Sequence, residues 1–252
     1  MEYEWVGFPP GERVGPEEET GTESCPTKAW PTTPGVVFGI EADVPVKGGN
    51  PAQRREHDKR IGAGTMSRSG AKCPCCPAIM TMEDIRLEGQ AGRLGAVSTA
   101  VVVDGQNGKQ YRLPTEHERE MAGTAADALP ELFAEIPFGM PDEPLPSKEA
   151  LGFRVPLYGF DRWGKLFTPR QLVAVGMFVG QIAALYRENT RLGFAVELAE
   201  ALSMYSACMT DRLANQSSNI AHWNMGGEKI EGTFARFALP ILWDFAEVNP
   251  LS

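Results

Sequence analysis

The chain has 252 residues, 42% of them hydrophobic and 23% charged, with a formal net charge of −9. That length and composition suit a globular protein of one large or two modest domains, and the acidic balance argues against a free-standing, non-specific binder of nucleic acid. No apolar run approaches the roughly 20 residues that span a bilayer, and the opening MEYEWVGFPPGERVGPEEETG lacks the basic-then-apolar pattern of a secretory leader, so the expected location is the cytoplasm, with no membrane partner.

Taken in chain order, residues 1–35 are rich in Pro, Gly, Glu and Thr without periodicity and read as an irregular arm. Charge is unevenly spread: residues 1–46 hold nine Asp/Glu against two Lys/Arg, and residues 47–72 hold seven Lys/Arg against two Asp/Glu. That basic run (Lys47, Arg54, Arg55, Lys59, Arg60, Arg68, Lys72) reads either as a solvated loop or as a phosphate-contacting one. Over 36–125 the pattern is β-rich. GVVFGIEADVPV (35–46) and AVSTAVVVDG (96–105) read as strands. DGQNGKQYRL (104–113) reads as a hairpin return, with Asp-Gly and Asn-Gly supplying positive-φ residues. Residues 114–150 predict one short helix and then a Pro-rich linker over 126–150.

Residues 151–252 read as a helical domain. Thr168 is placed as an N-cap, Pro169 as the first helical residue and Gln171 as the other half of a capping box. Leu172, Val175, Val179, Ile182 and Tyr186 then recur at helical spacing. A second helix is expected over roughly 194–214, with Leu198, Leu202, Tyr205, Met209 and Leu213 on one apolar face and Cys208 as a core residue. A third is expected over roughly 228–247 through Ile230, Phe234, Phe237, Ile241 and Phe245, with Trp243 in the core. The expected class is therefore α+β: a small, mostly β, zinc-ribbon-like region followed by a helical domain.

The stretch GTMSRSGAKCPCCPAIM (64–80) packs Cys73, Cys75 and Cys76 into four positions. Cys73 and Cys76 form a C-x-x-C pair, and two thiolates at that spacing can turn to one tetrahedral metal. No second C-x-x-C exists; Cys25, Cys208, His57, His117 and His222 are scattered along the chain. The cluster thus reads either as a bound Zn²⁺, with Cys25 among the candidate ligands, or as an incomplete ribbon. A redox reading lacks the βαβ context it requires.

Three stretches together resemble one family. GTMSRSGAKCPCCPAIMTMEDIRLEGQAGRLG (64–95), YGFDRWGKLFTPRQL (158–172) and DRLANQSSNIAHWNMGGEKIEGTFARFALPILWDFAEVNP (211–250) are similar, in order, to segments of the Zn-ribbon-containing adenine-specific DNA methylases of bacteria and archaea. The resemblance implies a central segment or split subunit of an S-adenosylmethionine-dependent DNA methyltransferase, of the kind used in restriction–modification and phage defence. Amine methylation of a flipped adenine needs a cofactor loop and a D/N-P-P-aromatic motif. The chain carries neither: IGAGT (61–65), GFPPG (7–11) and the NPLS at 249–252 each fall short, and Pro77 stands where the family places Gly.

On this reading the chain is not catalytic by itself, and S-adenosylmethionine belongs only to the complete enzyme. Its partners would be DNA and the remaining methylase polypeptides. Arg54, Arg55, Lys59, Arg60, Arg68 and Lys72 would contact phosphate, which positions DNA without reading its sequence. Arg86 and Arg93 could do the same or pair with Glu83, Asp84 and Glu88. Trp223 could stack on a base or pack, and Arg236 could face phosphate. The alternatives are a non-enzymatic, zinc-ribbon-like module that binds nucleic acid or a partner, and a truncated remnant.

Overall fold

The protein is described from a computed structural model at residues 40, 50–53, 55–56, 65–67, 69–73, 78–224, 227–234 and 238–251. Its class is α+β, built from helices and small antiparallel sheets. The chain divides into two compact units, Met1–Glu116 and His117–Ser252. The arm expected over 1–35 lies outside the described residues, as does the strand expected over 35–46 apart from Ile40.

In the first unit, Asn50 starts a helical turn: its Oδ1 accepts from the Ala52 and Gln53 amides at 3.0 and 3.1 Å. The Gln53 side chain accepts in return from the Asn50 amide at 2.9 Å, a reciprocal cap. Strands β1 (Gly70–Lys72) and β2 (Ile79–Thr81) form an antiparallel hairpin with Ala71 opposite Met80. Helix α1 (Met82–Gln90) follows at once because Thr81 caps it. The Asp84 amide donates to the Thr81 hydroxyl at 3.1 Å, and the Asp84 carboxylate accepts from the Thr81 amide at 2.8 Å. The helix stops where Gly92 takes φ +70°. There the Gly92 and Arg93 amides reach back to the Gly89 and Glu88 carbonyls, each at 2.9 Å, a Schellman turn.

Strands β3 (Val101–Gly105) and β4 (Gly108–Arg112) form the expected second hairpin, Gly105 facing Gly108. Within that turn only Gly108 adopts a positive φ, +112°, so the Asp-Gly pair does not contribute the left-handed residue its sequence suggests.

The second unit begins with α2 (Glu116–Thr124), a 3₁₀ turn (Ala125–Ala128) and α3 (Leu129–Ala134), where one helix is expected from sequence. A short α4 (Lys148–Leu151) is capped by Ser147 and closed by Gly152 at φ +72°. The core joins Leu145, Phe153, Val155, Leu166, Ile220 and Leu239. Leu145 comes from the Pro-rich stretch, which is pinned by backbone bonds from Leu145 to Asp161 (2.8 Å), Trp163 to Glu143 (3.1 Å) and Gly164 to Pro141 (2.7 Å).

Helix α5 (Pro169–Arg191) starts as the sequence predicts. The Thr168 hydroxyl accepts from the Gln171 amide at 3.3 Å, the Gln171 side chain accepts from the Thr168 amide at 2.8 Å, and Pro169 takes the first helical place. Helix α6 (Val196–Gln216) packs on α5 and runs directly into β5 (Ser217–Asn224). The third helix expected near 228–247 is replaced by two strands, β6 (Lys229–Glu231) and β7 (Phe245–Glu247), which flank β5 in an antiparallel sheet. Contacts distant in sequence hold the segment out of a helix. Gly232 abuts the Asn215 side chain so closely that a Cβ would lie 2.3 Å from its Nδ2. The Thr233 amide and hydroxyl bond the Asn215 carbonyl at 2.8 and 2.9 Å, and Pro240 cannot serve a helix interior.

Leu166 is fully buried in this core, so Leu166→Ala is expected to lower stability by about 2–5 kcal/mol. Thr168→Ala should cost about 1 kcal/mol while Thr168→Ser costs little. Urea unfolding of the three variants, compared at unchanged m-value, checks both.

Candidate functional site

Cys73 directly follows β1, and its amide donates to the Ala78 carbonyl at 2.8 Å. The thiol is half-buried and outside any disulfide, at the turn end of the β1–β2 hairpin, a position that suits a metal knuckle. Three of the four candidate ligands, Cys25, Cys75 and Cys76, lie outside the described residues. Among the described residues no three potential ligands converge. The hairpin depends on Gly70, which has φ +150°; a Cβ there would lie 2.0 Å from the Met80 carbonyl oxygen.

Of the basic candidates, Arg55 is exposed on the turn started by Asn50, and Lys72 is exposed on β1 opposite Ile79. Arg86 pairs with Glu83 at 3.5 Å. Arg93, brought round by the Schellman turn, grips Glu88 through two bonds of 2.6 and 2.8 Å. That hydrogen-bonded guanidinium holds the Glu88 carboxyl below its ordinary range. Both arginines therefore meet carboxylates of their own helix, the second of the two readings their sequence allows. Arg54, Lys59, Arg60, Arg68 and Arg236 lie outside the described residues.

In the second unit the sheet collects polar groups that the sequence does not bring together. Glu247 on β7 accepts from Gln171 Nε2 at 2.8 Å and pairs with Arg170. Ser218 and Thr233 share a hydrogen bond of 2.6 Å, and Asn215 Oδ1 accepts from the Phe234 amide at 2.9 Å. His222 Nε2 lies 2.9 Å from Glu231 Oε2, across the β5–β6 ladder, and Asn224 donates to the same carboxylate. Trp223 faces Ile230 on that ladder and is half-buried. Asn219 donates to the Lys165 carbonyl at 3.3 Å. Trp243, expected in the core, is exposed and packs edge-on against Tyr158.

Glu231, Thr233 and Glu247 are not legible as site members, because the sequence assigns their segment to a helix, and Ser218 lies between the two expected helices with no element assigned. Gln171 was legible, but only as a cap.

The α5–α6 pair differs from its expected packing. Leu198, Leu202, Tyr205 and Met209, read as a core stripe, are exposed, and so is Cys208. The inward side of α6 carries Ala199, Ser203, Ser206 and Thr210 instead. A groove of about 840 Å³ between the two helices is lined by Phe178, Ile182, Leu185, Met209 and Leu213, with Pro250 alongside. No described helix is long and apolar enough to cross a membrane. Set against protein-family models, curated proteins and solved structures, the chain finds no match.

The Asn224 amide, and then the charge of His222, hold the Glu231 carboxyl below its ordinary value of 4.5. A carboxyl depressed in the folded state stabilises the fold above its unfolded pKa and loses that contribution as pH falls through the lower, folded value. Glu231→Gln should therefore remove part of the stability lost on acidification below pH 4.5 and leave the profile at neutral pH parallel to the parent. Thermal melts across an acid titration check this. In the first unit, Gly70→Ala should open the β1–β2 ladder, seen as faster hydrogen exchange at the Cys73 amide, which bonds the Ala78 carbonyl.

Proposed function

We propose that the chain is the central, DNA-positioning segment or a split subunit of an adenine-specific, S-adenosylmethionine-dependent DNA methyltransferase, without catalytic capacity of its own. The observation that carries this reading is the meeting of two of the resembling blocks. Arg170 and Gln171, from 158–172, hold Glu247, from 211–250, and Gln171 and Glu247 are 76 positions apart. Both blocks also feed one core, Leu166 from the first and Ile220 and Leu239 from the second. Separate stretches that resemble successive parts of one family thus behave as parts of one folded unit.

Within that enzyme, the exposed Arg55 and Lys72, with Arg54, Lys59, Arg60 and Arg68, would lie along phosphate. Such contacts fix register on the duplex and leave base reading to other parts. Cys73 and Cys76, with Cys75 and Cys25 as further candidates, would hold Zn²⁺, whose binding contributes folding energy directly. The cofactor loop and the D/N-P-P-aromatic motif would come from the remaining methylase polypeptides. A second reading, a zinc-ribbon-like binding module without enzymatic role, is favoured by Cys73 standing at the turn of the hairpin.

The deciding experiment is methyl transfer from labelled S-adenosylmethionine to unmethylated DNA, with the chain alone and with the polypeptides encoded beside it. Activity is expected only in the mixture. Silence in both, with all partners folded, overturns the methyltransferase reading. Charge reversal at Arg54, Arg55, Lys59 and Arg60 should weaken DNA binding in the assembled complex and reduce its salt slope by roughly one per lost phosphate contact.

A further inference from the structure

Helix α6 is amphipathic in an inverted sense. Its inner side is made of small residues, with Ala199 and Thr210 buried and Ser203 and Ser206 half-buried. The hydroxyls of Ser203, Ser206 and Thr210 turn back onto carbonyls one turn earlier, at 2.9, 2.9 and 3.1 Å. They are satisfied inside the helix and ask nothing of a partner. Its outer side carries the large apolar side chains: Tyr205 and Met209 are each 74% exposed, Met204 71%, Leu198 48% and Leu202 39%. From Ala201 to Thr210 there is no charged residue. Leu198, Leu202, Tyr205 and Met209 share one face and leave on the order of 400 Å² of apolar surface in water there, as much as a monomer ordinarily carries in one patch, with Met204 on the other flank.

We propose that this face is the interface between two copies of the chain, paired with their α6 helices antiparallel. Leu198, Ala201, Tyr205, Cys208 and Arg212 are spaced three, four, three and four residues apart, the seam spacing of paired helices. The uncharged stretch is flanked by Glu197 and Glu200 at one end and Asp211 and Arg212 at the other; Glu200 lies about 120° round the helix from Arg212, off the seam, and the midpoint of Glu197 and Arg212 falls between Met204 and Tyr205. A two-fold axis through that midpoint sets Glu197 of each copy beside Arg212 of the other. A parallel pair would set like charges together. Asp211 sits about 100° round the helix from Arg212, away from the line of Tyr205. Glu197 and Arg212 are both exposed, so each is placed to meet its opposite number. The small Ala201 and Cys208 leave room for the facing helix to come close, with Tyr205 of each copy meeting near the axis. The pairing rests on α6 and stands independently of methyl transfer.

Sedimentation equilibrium of the full chain tests it. The expected result is a concentration-dependent species of twice 27.5 kDa. Tyr205→Glu should return the chain to monomer. Arg212→Glu should weaken association about tenfold or more, since like charges then oppose across the seam, and adding Glu197→Arg in the same chain should restore it. Far-UV circular dichroism confirms that α6 persists in each variant, and the charge-swap pair keeps the test decisive if Tyr205→Glu does not fold. A wild-type monomer at every concentration overturns the proposal and gives the face to another polypeptide or another segment of this chain. A dimer indifferent to all three substitutions overturns it equally.

Discussion

The second unit hangs on the side-chain amide of Gln171, which is 2% exposed. Its oxygen accepts from the Thr168 amide and its nitrogen donates to Glu247 on β7. One amide thereby closes the start of α5 and fixes the edge of the sheet against it. The helix N-terminus adds to the bond, because its partial positive charge favours a carboxylate placed there, and Arg170 supplies a full one. Removing Glu247 would leave the buried Gln171 nitrogen unmet, which costs more than the net worth of the bond. Through β7 the constraint passes to β5, and from β5 to α6, which runs into it without a loop.

What the sequence made legible is what neighbours in the chain decide among themselves. The Thr168–Gln171 box, the return at Gly108 and the α5 and α6 helices all rest on contacts within a few residues. The C-terminal strands do not. Ile230, Phe234, Ile241 and Phe245 satisfy a helical spacing, yet the segment is captured by pairings of long sequence separation, Asn215 with Thr233 and His222 with Phe245. Periodicity also fails to say which way a face turns. Leu198, Leu202, Tyr205 and Met209 do share a face of α6, and that face looks outward, because the close approach of α6 to α5 selects the small residues for its inner side.

The candidate basic surface shows the same division. Arg86 and Arg93 stand in a stretch with Glu83, Asp84 and Glu88, and sequence alone leaves phosphate and carboxylate as equal partners for them. In the structure both meet carboxylates: Glu83 and Arg86 are three positions apart on one face, and the turn at Gly92 folds Arg93 back onto Glu88. Arg55 and Lys72 sit exposed on a capped helical turn and a short strand. With a net charge of −9, the protein's field as a whole does not draw phosphate, and a basic segment acts only locally.

The second unit thus carries two unlike kinds of specification. Its interior orientation is set by polar pins, Gln171 with Glu247, Asn215 with Thr233 and Phe234, Ser218 with Thr233, each of which tolerates one geometry. Its outer helix is set by apolar area, which is indifferent to direction and asks only to be covered. The pins join residues of the blocks at 158–172 and 211–250, whereas the outer face, from Leu198 to Met209, lies between those blocks. The parts that hold the unit together and the part that seeks a partner are therefore separable. Charging the middle of α6 should leave the pinned core intact while abolishing association, an independence that a helix packing its large residues inward could not have.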